Sequence, residues 1–421
     1  MSTNDDNQTQ LSIVPKWVEA KLFEGTLKEV EPEFKEIKEF KIEPALAPGE
    51  NYASLMLKVE FVISLNDGSL KPLSFMFKVG HDTDSYREMI KSYNAFDIET
   101  GMYRDLVPEL EQILMEAGVH VRFGAKSYTL PTTEPYILME NLKYKGFRNA
   151  NRLEGLDMRH AESVLKKLAQ WHAASAVRVV RNGNYPDKYS KSQYRPECYD
   201  MVKGMYSNIT SMLLECVGQF SNSDLYYDKV EKIQPQIFDE IFKLMAKTDD
   251  KDDNAFRVLN HGDTWSNNIM FRYDNDSNEL LDTYFVDYQV PSYNSPAQDL
   301  WYFIMSSCKI DIKLSKFDYM ISYYHKHLQY HLKLLKYPKA IPSIRDIHCQ
   351  LYENGMWAYV TLTNVLCGVL IDPTDTANLE NLMGASDDGA AFKRQLYSNT
   401  RYRQQMESIL PWLLNKGLLE V

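Results

Sequence analysis

The sequence predicts an α+β chain in which a small strand-rich N-terminal unit precedes a larger, mainly helical one. Three observations predict it. Between residues 55 and 79 apolar side chains recur at every second position, the period of a half-buried strand. From residue 158 onward apolar positions recur mostly at helical spacing. A polar connection, Glu140 to Lys145, separates the two patterns, as expected between two packed units.

Taken in order, residues 1–10 are polar and read as a disordered tail. Trp17 to Leu27 reads as a short helix, and Phe34 to Ile42 as an edge strand. Pro48 to Ser54 is a turn-rich loop. After it, Leu55, Leu57, Val59, Phe61 and Ile63 share one strand face, Asn66-Asp67-Gly68 supplies a hairpin turn, and Leu73, Phe75, Phe77 and Val79 share one face of the return strand. Lys78 then stands on a strand that is apolar on both sides, a costly place unless it is paired. Residues 87–115 read as helical, with Gly101 and Pro108 marking a kink or break. Pro135 to Leu142 reads as a buried strand, and Lys143 to Asp157 as a loop leading into a strong helix that carries Trp171 and His172. Further helices are expected near 196–221, 226–246, 296–335, 343–370 and 390–416. The expected units are residues 11–142 and 143–421.

With 421 residues the chain has room for two units, and 44% hydrophobic with 25% charged residues favours neither disorder nor a membrane class. The formal charge of -11 argues against a nucleic-acid-binding surface. The N-terminus lacks the basic start and apolar core of a signal peptide, and no apolar run reaches the roughly 18 residues of a membrane span. Five scattered cysteines without CxxC spacing point to neither zinc nor a redox couple. A reduced, cytoplasmic monomer is expected, with no nucleic-acid or membrane partner.

The chemistry concentrates in Val258 to Phe271, where Asp263 and Asn268 lie five residues apart between two apolar runs, and in Asp287, which ends the run Thr283 to Val286. An Asp, an Asn five residues on and a later Asp after a short strand are what kinase-type phosphoryl transfer needs. Asp263 would accept the proton of the attacking hydroxyl. Asn268 and Asp287 would offer hard oxygens to Mg²⁺ beside the phosphates of ATP. Each alone reads as a turn residue; the three spacings together select catalysis. Lys78 would neutralise the α/β-phosphates with Glu99 as its ion-pair partner, Glu88 being the weaker choice. The loop before the hairpin could fold its amides over the phosphates, with Asn51 and Ser54 as side-chain contacts. Glu140 to Leu142 would form the hinge whose backbone reads adenine. His261 is expected to orient the loop, His172 to sit in the core, and Asp299 either to brace the catalytic loop or to cap a helix.

These segments resemble the ecdysteroid kinase-like family, within the wider choline and aminoglycoside kinase-like group. His261 to Phe271 and Val286 to Gln289 carry the resemblance. It extends through Pro48 to Ser54, Phe75 to Val79, Phe96 to Tyr103, Leu138 to Leu142, Lys145 to Phe147, Gly155 to Asp157, Ala169 to Ser175 and Gly417 to Leu419. The hinge departs from the pattern at Asn141, where an Asp is expected. The resemblance implies a protein-kinase-like bilobal fold, ATP and Mg²⁺ as cofactors, and transfer of the γ-phosphate to a hydroxyl of an apolar small molecule such as an ecdysteroid or a plant or dietary secondary metabolite. It places Asp263 as base, Asn268 and Asp287 as metal ligands, Lys78 on the phosphates and Glu99 beside it. Two alternatives stand next to it: a choline- or sugar-type kinase with a polar acceptor, and a kinase-shaped protein that binds a ligand without turnover.

Overall fold

The computed structural model describes residues 14–45, 55–80, 94–246, 255–384 and 386–420. The N-terminal tail, the loop with Asn51 and Ser54, and Glu88 lie outside the described residues. Contacts group the chain into two compact units, Met1–Arg104 with Ala125–Phe147, and Asp105–Gly124 with Arg148–Val421. The α+β class, with a small antiparallel-sheet unit and a larger mainly helical one, is the class the sequence predicts.

The first unit is built on β1 (Phe34–Pro44), β2 (Leu55–Leu65), β3 (Leu70–Val79), β4 (Ser127–Tyr128) and β5 (Tyr136–Glu140), in the antiparallel order β1-β2-β3-β5-β4. Gly68, at φ 85°, lets the β2–β3 turn adopt a backbone that a side chain would strain. Alternation puts Leu57, Val59, Phe61, Ile63, Phe75, Phe77 and Val79 into one apolar cluster. Phe23 packs into the same cluster with its ring 5.3 Å from Phe61 and 5.7 Å from Phe77. The expected helix at Trp17 to Leu27 instead begins as a 3₁₀ turn at Ala20–Phe23 and continues as α1 (Glu24–Val30). Burial of Phe23 and Leu27 against the sheet sets its position rather than Trp17. The unit also holds α2 (Ala95–Gly101), started by Asn94, whose side chain accepts the Asp97 N–H.

The second unit opens with α3 (Val107–Glu116), reached through a π-helical stretch, Met102–Leu106. Pro108 falls in the first turn of α3, where its missing N–H costs nothing, so it starts a helix rather than breaking one. The long α4 (Met158–Asn182) is capped by Asp157, which accepts the His160 N–H, and ends at Gly183. Its buried stripe includes Val164, Leu168, Trp171, His172 and Ser175 and packs against the later α8 (Phe317–Leu334). Between them come α5 (Tyr199–Ile209), α6 (Ile237–Ala246) and α7 (Ala297–Ser307). After α8 follow α9 (Ile344–Glu353), α10 (Asp387–Ser398) and α11 (Thr400–Asn415). The single helix expected near 390–416 is two, because Asn399 leaves helical geometry and its side chain accepts the Tyr402 N–H to start α11.

Of two short β elements among the later helices, only the strand that ends just before Asp287 was legible in the sequence. A pair, β6 (Val258–Asn260) with β9 (Ser292–Asn294), and a hairpin, β7 (Ile269–Tyr273) with β8 (Leu280–Phe285), are embedded among the helices. β6 and β9 flank the segment from His261 to Asp287, and β7 and β8 lie within it. The five cysteines are free thiols, with Cys349 exposed and the others buried. No helix among the described residues is long and apolar enough to cross a membrane.

Candidate active site

In the first unit, Lys78 lies on β3 and Glu99 on α2, and the Lys78 ammonium meets the Glu99 carboxylate at 2.7 Å. The two are 4% and 2% exposed, so the pair is desolvated and each charge depends on the other. At the end of β5, Glu140 accepts from the Lys126 N–H at 3.0 Å and pairs with the Lys145 ammonium at 2.5 Å. The Leu142 carbonyl accepts the N–H groups of Lys145 and Phe147, at 3.0 and 2.9 Å, which fills both its lone pairs. A nucleobase could therefore find a donor in the Leu142 N–H but no acceptor in its carbonyl. Asn141 performs the capping that a carboxylate would: its Oδ1 accepts the Tyr144 N–H, and its Nδ2 donates to Ser74.

In the second unit, the loop after β6 is fixed from below by Asp299 on α7. One Asp299 oxygen accepts the His261 N–H at 2.7 Å and the other the Gly262 N–H at 2.9 Å. His172 on α4 donates through Nε2 to the same carboxylate at 3.1 Å, while its Nδ1 accepts the Tyr324 phenol at 2.7 Å. Asp299 and His172 are wholly buried, so a complete set of donors is what makes a carboxylate tolerable there. Asp299 thus braces the loop and supplies no helix cap. His261 accepts the Asp263 N–H at Nδ1 and faces the Val286 carbonyl with Nε2, at 3.2 and 3.1 Å. That fixes the neutral Nε2–H tautomer, and burial pushes its pKa down. Gly262 sits at φ 83°, and a Cβ there would lie 2.0 Å from the Val290 carbonyl oxygen.

The loop delivers Asp263 and Asn268 to one place. Asn268 Nδ2 donates to Asp263 Oδ2 at 2.8 Å and to the Asp263 carbonyl at 3.1 Å. The Tyr302 phenol, on α7, donates to Asp263 Oδ1, and the Trp265 side chain also hydrogen-bonds the carboxylate. Asp287 follows β8 at φ 67°, a left-handed conformation that costs a non-glycine residue about 1–2 kcal/mol. Gln289 Nε2 donates to its Oδ2 at 3.1 Å. Burial and the neighbouring Asp287 charge push the Asp263 pKa up to about 7, outweighing the three donors.

A divalent ion would relieve the repulsion between the Asp263 and Asp287 carboxylates. Asn268 spends its amide nitrogen on Asp263, so its side-chain oxygen is the atom it could offer a cation, and Asp287 adds a carboxylate. Both are hard oxygens of the kind Mg²⁺ takes. Among the described residues no group of three or more His, Cys, Asp or Glu side chains is placed to hold a metal. A cation here would draw its remaining ligands from phosphates and water.

A sequence model of the ecdysteroid kinase-like family matches residues 48–337. The chain belongs to this family. It is a small-molecule kinase, a phosphotransferase that acts on a hydroxyl acceptor. The match spans every position described above. Among solved structures, the chain is similar to amicoumacin kinase hAmiN in complex with AMP-PNP, Ca²⁺ and Ami. That likeness covers 94% of this chain and 96% of the other, at 13% identity and a TM-score of 0.39. No curated protein matches.

Several supporting residues of this kinase escaped the sequence reading. Tyr302 is one; it lies three residues after Asp299 on α7, and that spacing turns both side chains toward the same loop. Asn149 is another, donating through Nδ2 to the carbonyls of Asn267 and Ile269 at 2.8 and 3.0 Å. Trp171 and Ser175 hold β6 from α4, the indole donating to the Leu259 carbonyl at 2.5 Å and the hydroxyl accepting the Leu259 N–H at 3.0 Å. No local pattern announces the last three.

Proposed function

We propose that this kinase transfers the γ-phosphate of ATP, with Mg²⁺, to a hydroxyl of an apolar acceptor such as an ecdysteroid or a plant or dietary secondary metabolite. Asp263 is the base that takes the acceptor proton. Asn268 and Asp287 hold the cation, which neutralises charge on the transferring phosphoryl group when bound. Lys78, kept in place by Glu99, contacts the phosphates, and Glu140 to Leu142 meet the adenine, chiefly through the Leu142 N–H. Asn51 and Ser54 complete the phosphate contacts in this reading.

The observation that carries it is the joint placement of Asp263, Asn268 and Asp287. A carboxylate with its second oxygen engaged by an amide, next to another carboxylate, suits a base beside a metal-bound phosphate. Asp287→Ala tests it. The variant is expected to fold, to lose Mg²⁺- and ATP-dependent phosphate transfer across a panel of steroid, phenolic and amino-alcohol acceptors, and to lose the thermal shift that Mg²⁺ with ATP gives the wild type. Full transfer by the variant would place the metal elsewhere.

A further inference from the structure

Beside Asp263, three phenols from three different segments meet. Tyr302 on α7 donates to Asp263 Oδ1. Tyr206 on α5 feels the Asp263 charge and hydrogen-bonds Tyr194. Tyr194 in turn accepts from Gln193 Nε2 at 3.0 Å. Apolar rings back this group. Phe238 on α6 lies 4.2 Å from the Tyr206 ring, centroid to centroid, and Trp357 lies 5.5 Å from Tyr194, edge to face. Tyr206 and Tyr302 both keep part of their surface accessible, while Tyr194 and Phe238 are buried behind them. The wall is therefore apolar in its body and hydroxylic at its tips, the amphipathic character of tyrosine.

The charges around it narrow the ligand. Asp263 is the charged group that acts on both Tyr206 and Tyr302. The acid nearest in sequence to the backing rings, Asp239 on α6, is already neutralised by Lys203 at 3.2 Å and bonded by the Tyr199 phenol. An acceptor bearing a fixed positive charge would want a spare carboxylate as well as ring faces. An acceptor rich in hydroxyls would leave most of them unmatched against rings.

We infer that Tyr194, Tyr206 and Tyr302 form the wall that receives the uncharged acceptor of that proposed reaction, and that Tyr302 is a positioning residue for Asp263. This rests on the reading of Asp263 as base. A carboxylate has about four acceptor sites, and Tyr302, Asn268 and Trp265 use three of them, which leaves one for the acceptor hydroxyl. With Asn268 on Oδ2 and Tyr302 on Oδ1, the carboxylate is held at both oxygens. In the transfer step the acceptor O–H bond breaks, its proton goes to Asp263, the oxygen bonds to the γ-phosphorus of ATP, and ADP leaves with the electrons of the broken P–O bond.

The test uses the full chain and 2-naphthol, an uncharged planar alcohol, with choline and glucose as counter-probes. Binding is read by calorimetry without nucleotide, and transfer by mass gain of one phosphate with ATP and Mg²⁺. Wild type is expected to bind 2-naphthol saturably and more tightly than either counter-probe. Tyr206→Ala is expected to weaken binding about tenfold or more, and Tyr206→Phe, which keeps the ring, to stay within about threefold. Tyr302→Phe is expected to bind 2-naphthol about as well as wild type but to lower kcat about tenfold or more with KM little changed. Tighter binding of choline or glucose, no saturable binding of 2-naphthol, or unweakened binding by Tyr206→Ala would overturn the assignment of the wall. An unchanged kcat in Tyr302→Phe would overturn the positioning role. Transfer surviving in Asp263→Asn would instead remove the base reading, and the binding comparison would stand apart from it.

Discussion

Replacing Asp263 with Asn should do two opposite things, and the second is the sharper test. The first is loss of phosphate transfer by about 10²–10⁴-fold, the usual contribution of a positioned base. The second is a gain in stability of the ligand-free protein that depends on pH. In the folded chain the Asp263 pKa is about 7 against an ordinary 3.8, because burial and the Asp287 charge disfavour the ionised form. An acid whose folded pKa is raised contributes stability that is fully present below the unfolded value and is lost as pH rises through the folded one. Between pH 4.5 and 7.5 that loss has a ceiling of about 3 kcal/mol in wild type. Asp263 is only partly buried, so solvent screening brings the expected figure to about 1–2 kcal/mol.

Asparagine carries no charge at either pH, so Asp263→Asn should melt about 1–2 °C above wild type at pH 7.5. The advantage should shrink toward zero at pH 4.5, where wild-type Asp263 is protonated. The assay is a thermal melt of both proteins without nucleotide or divalent cation at the two pH values. Asp287→Asn is the control, since removing the neighbouring charge should flatten the wild-type dependence part of the way. If Asp263→Asn differs from wild type by the same amount at both pH values, the raised Asp263 pKa, from burial and the Asp287 charge, is refuted.

Three further outcomes follow from contacts around the loop and in the helical core. Gly262→Ala should abolish transfer and cost about 2 kcal/mol or more in a denaturant melt, because φ 83° and a Cβ 2.0 Å from the Val290 carbonyl cannot both be accommodated. Asp299→Ala should cost about 3–5 kcal/mol, since it strands two backbone N–H groups and His172 in a dry interior; a melt indistinguishable from wild type would show that the brace is dispensable. Lys313 is buried and donates to the Met305 carbonyl at 2.6 Å and to Gln405 at 2.8 Å, with desolvation pushing its pKa down to about 7. A lysine whose folded pKa lies below its unfolded value penalises the fold at low pH and releases that penalty as pH rises from about 7 toward 10.5. Wild type should therefore gain up to about 2 kcal/mol between pH 7.5 and 9.5, and Lys313→Met should lack that gain.

What the sequence revealed of this protein tracks the range of the interactions involved. Lys78 was legible because a charge on a doubly apolar strand demands a partner, and Glu99 at 2.7 Å supplies one. The β2–β3 hairpin was legible because alternation and Asp67-Gly68 act locally. Asp263, Asn268 and Asp287 were singled out by their spacing, and the structure brings Asn268 Nδ2 within 2.8 Å of Asp263. The residues that hold them were not. Asn149 reaches its carbonyls from more than a hundred residues away, and Trp171 reaches Leu259 across a similar separation. Asn141 shows the opposite limit. An expected Asp was missing, yet the amide oxygen accepts the same kind of N–H, so the substitution kept the cap and added a donor to Ser74.

The left-handed backbone of Asp287 raises the question of what prevents it from relaxing, and the answer predicts a defect at a residue that touches no ligand. Phe285 N–H donates to the Phe123 carbonyl at 2.6 Å, and Val286 N–H to the Asn268 carbonyl at 3.0 Å. On the far side Tyr288 is stacked on Trp171, centroids 5.5 Å apart, and packs against His261 at 4.9 Å. Asp287 is thus clamped at both neighbours, which is how a strained φ persists at a site. Gly124 lies against this clamp. A Cβ there would fall 2.6 Å from the Phe285 carbonyl oxygen and 2.7 Å from the Tyr288 hydroxyl. Gly124 itself is not among the positive-φ glycines, so alanine brings steric pressure without backbone strain. Gly124→Ala should cost about 1–3 kcal/mol of stability. By shifting the strand end that carries Asp287, it should also lower kcat about 10–100-fold. Steady-state transfer and a melt of the same preparation separate the two effects. A stable variant with wild-type kcat would mean that Asp287 is placed by something other than this clamp.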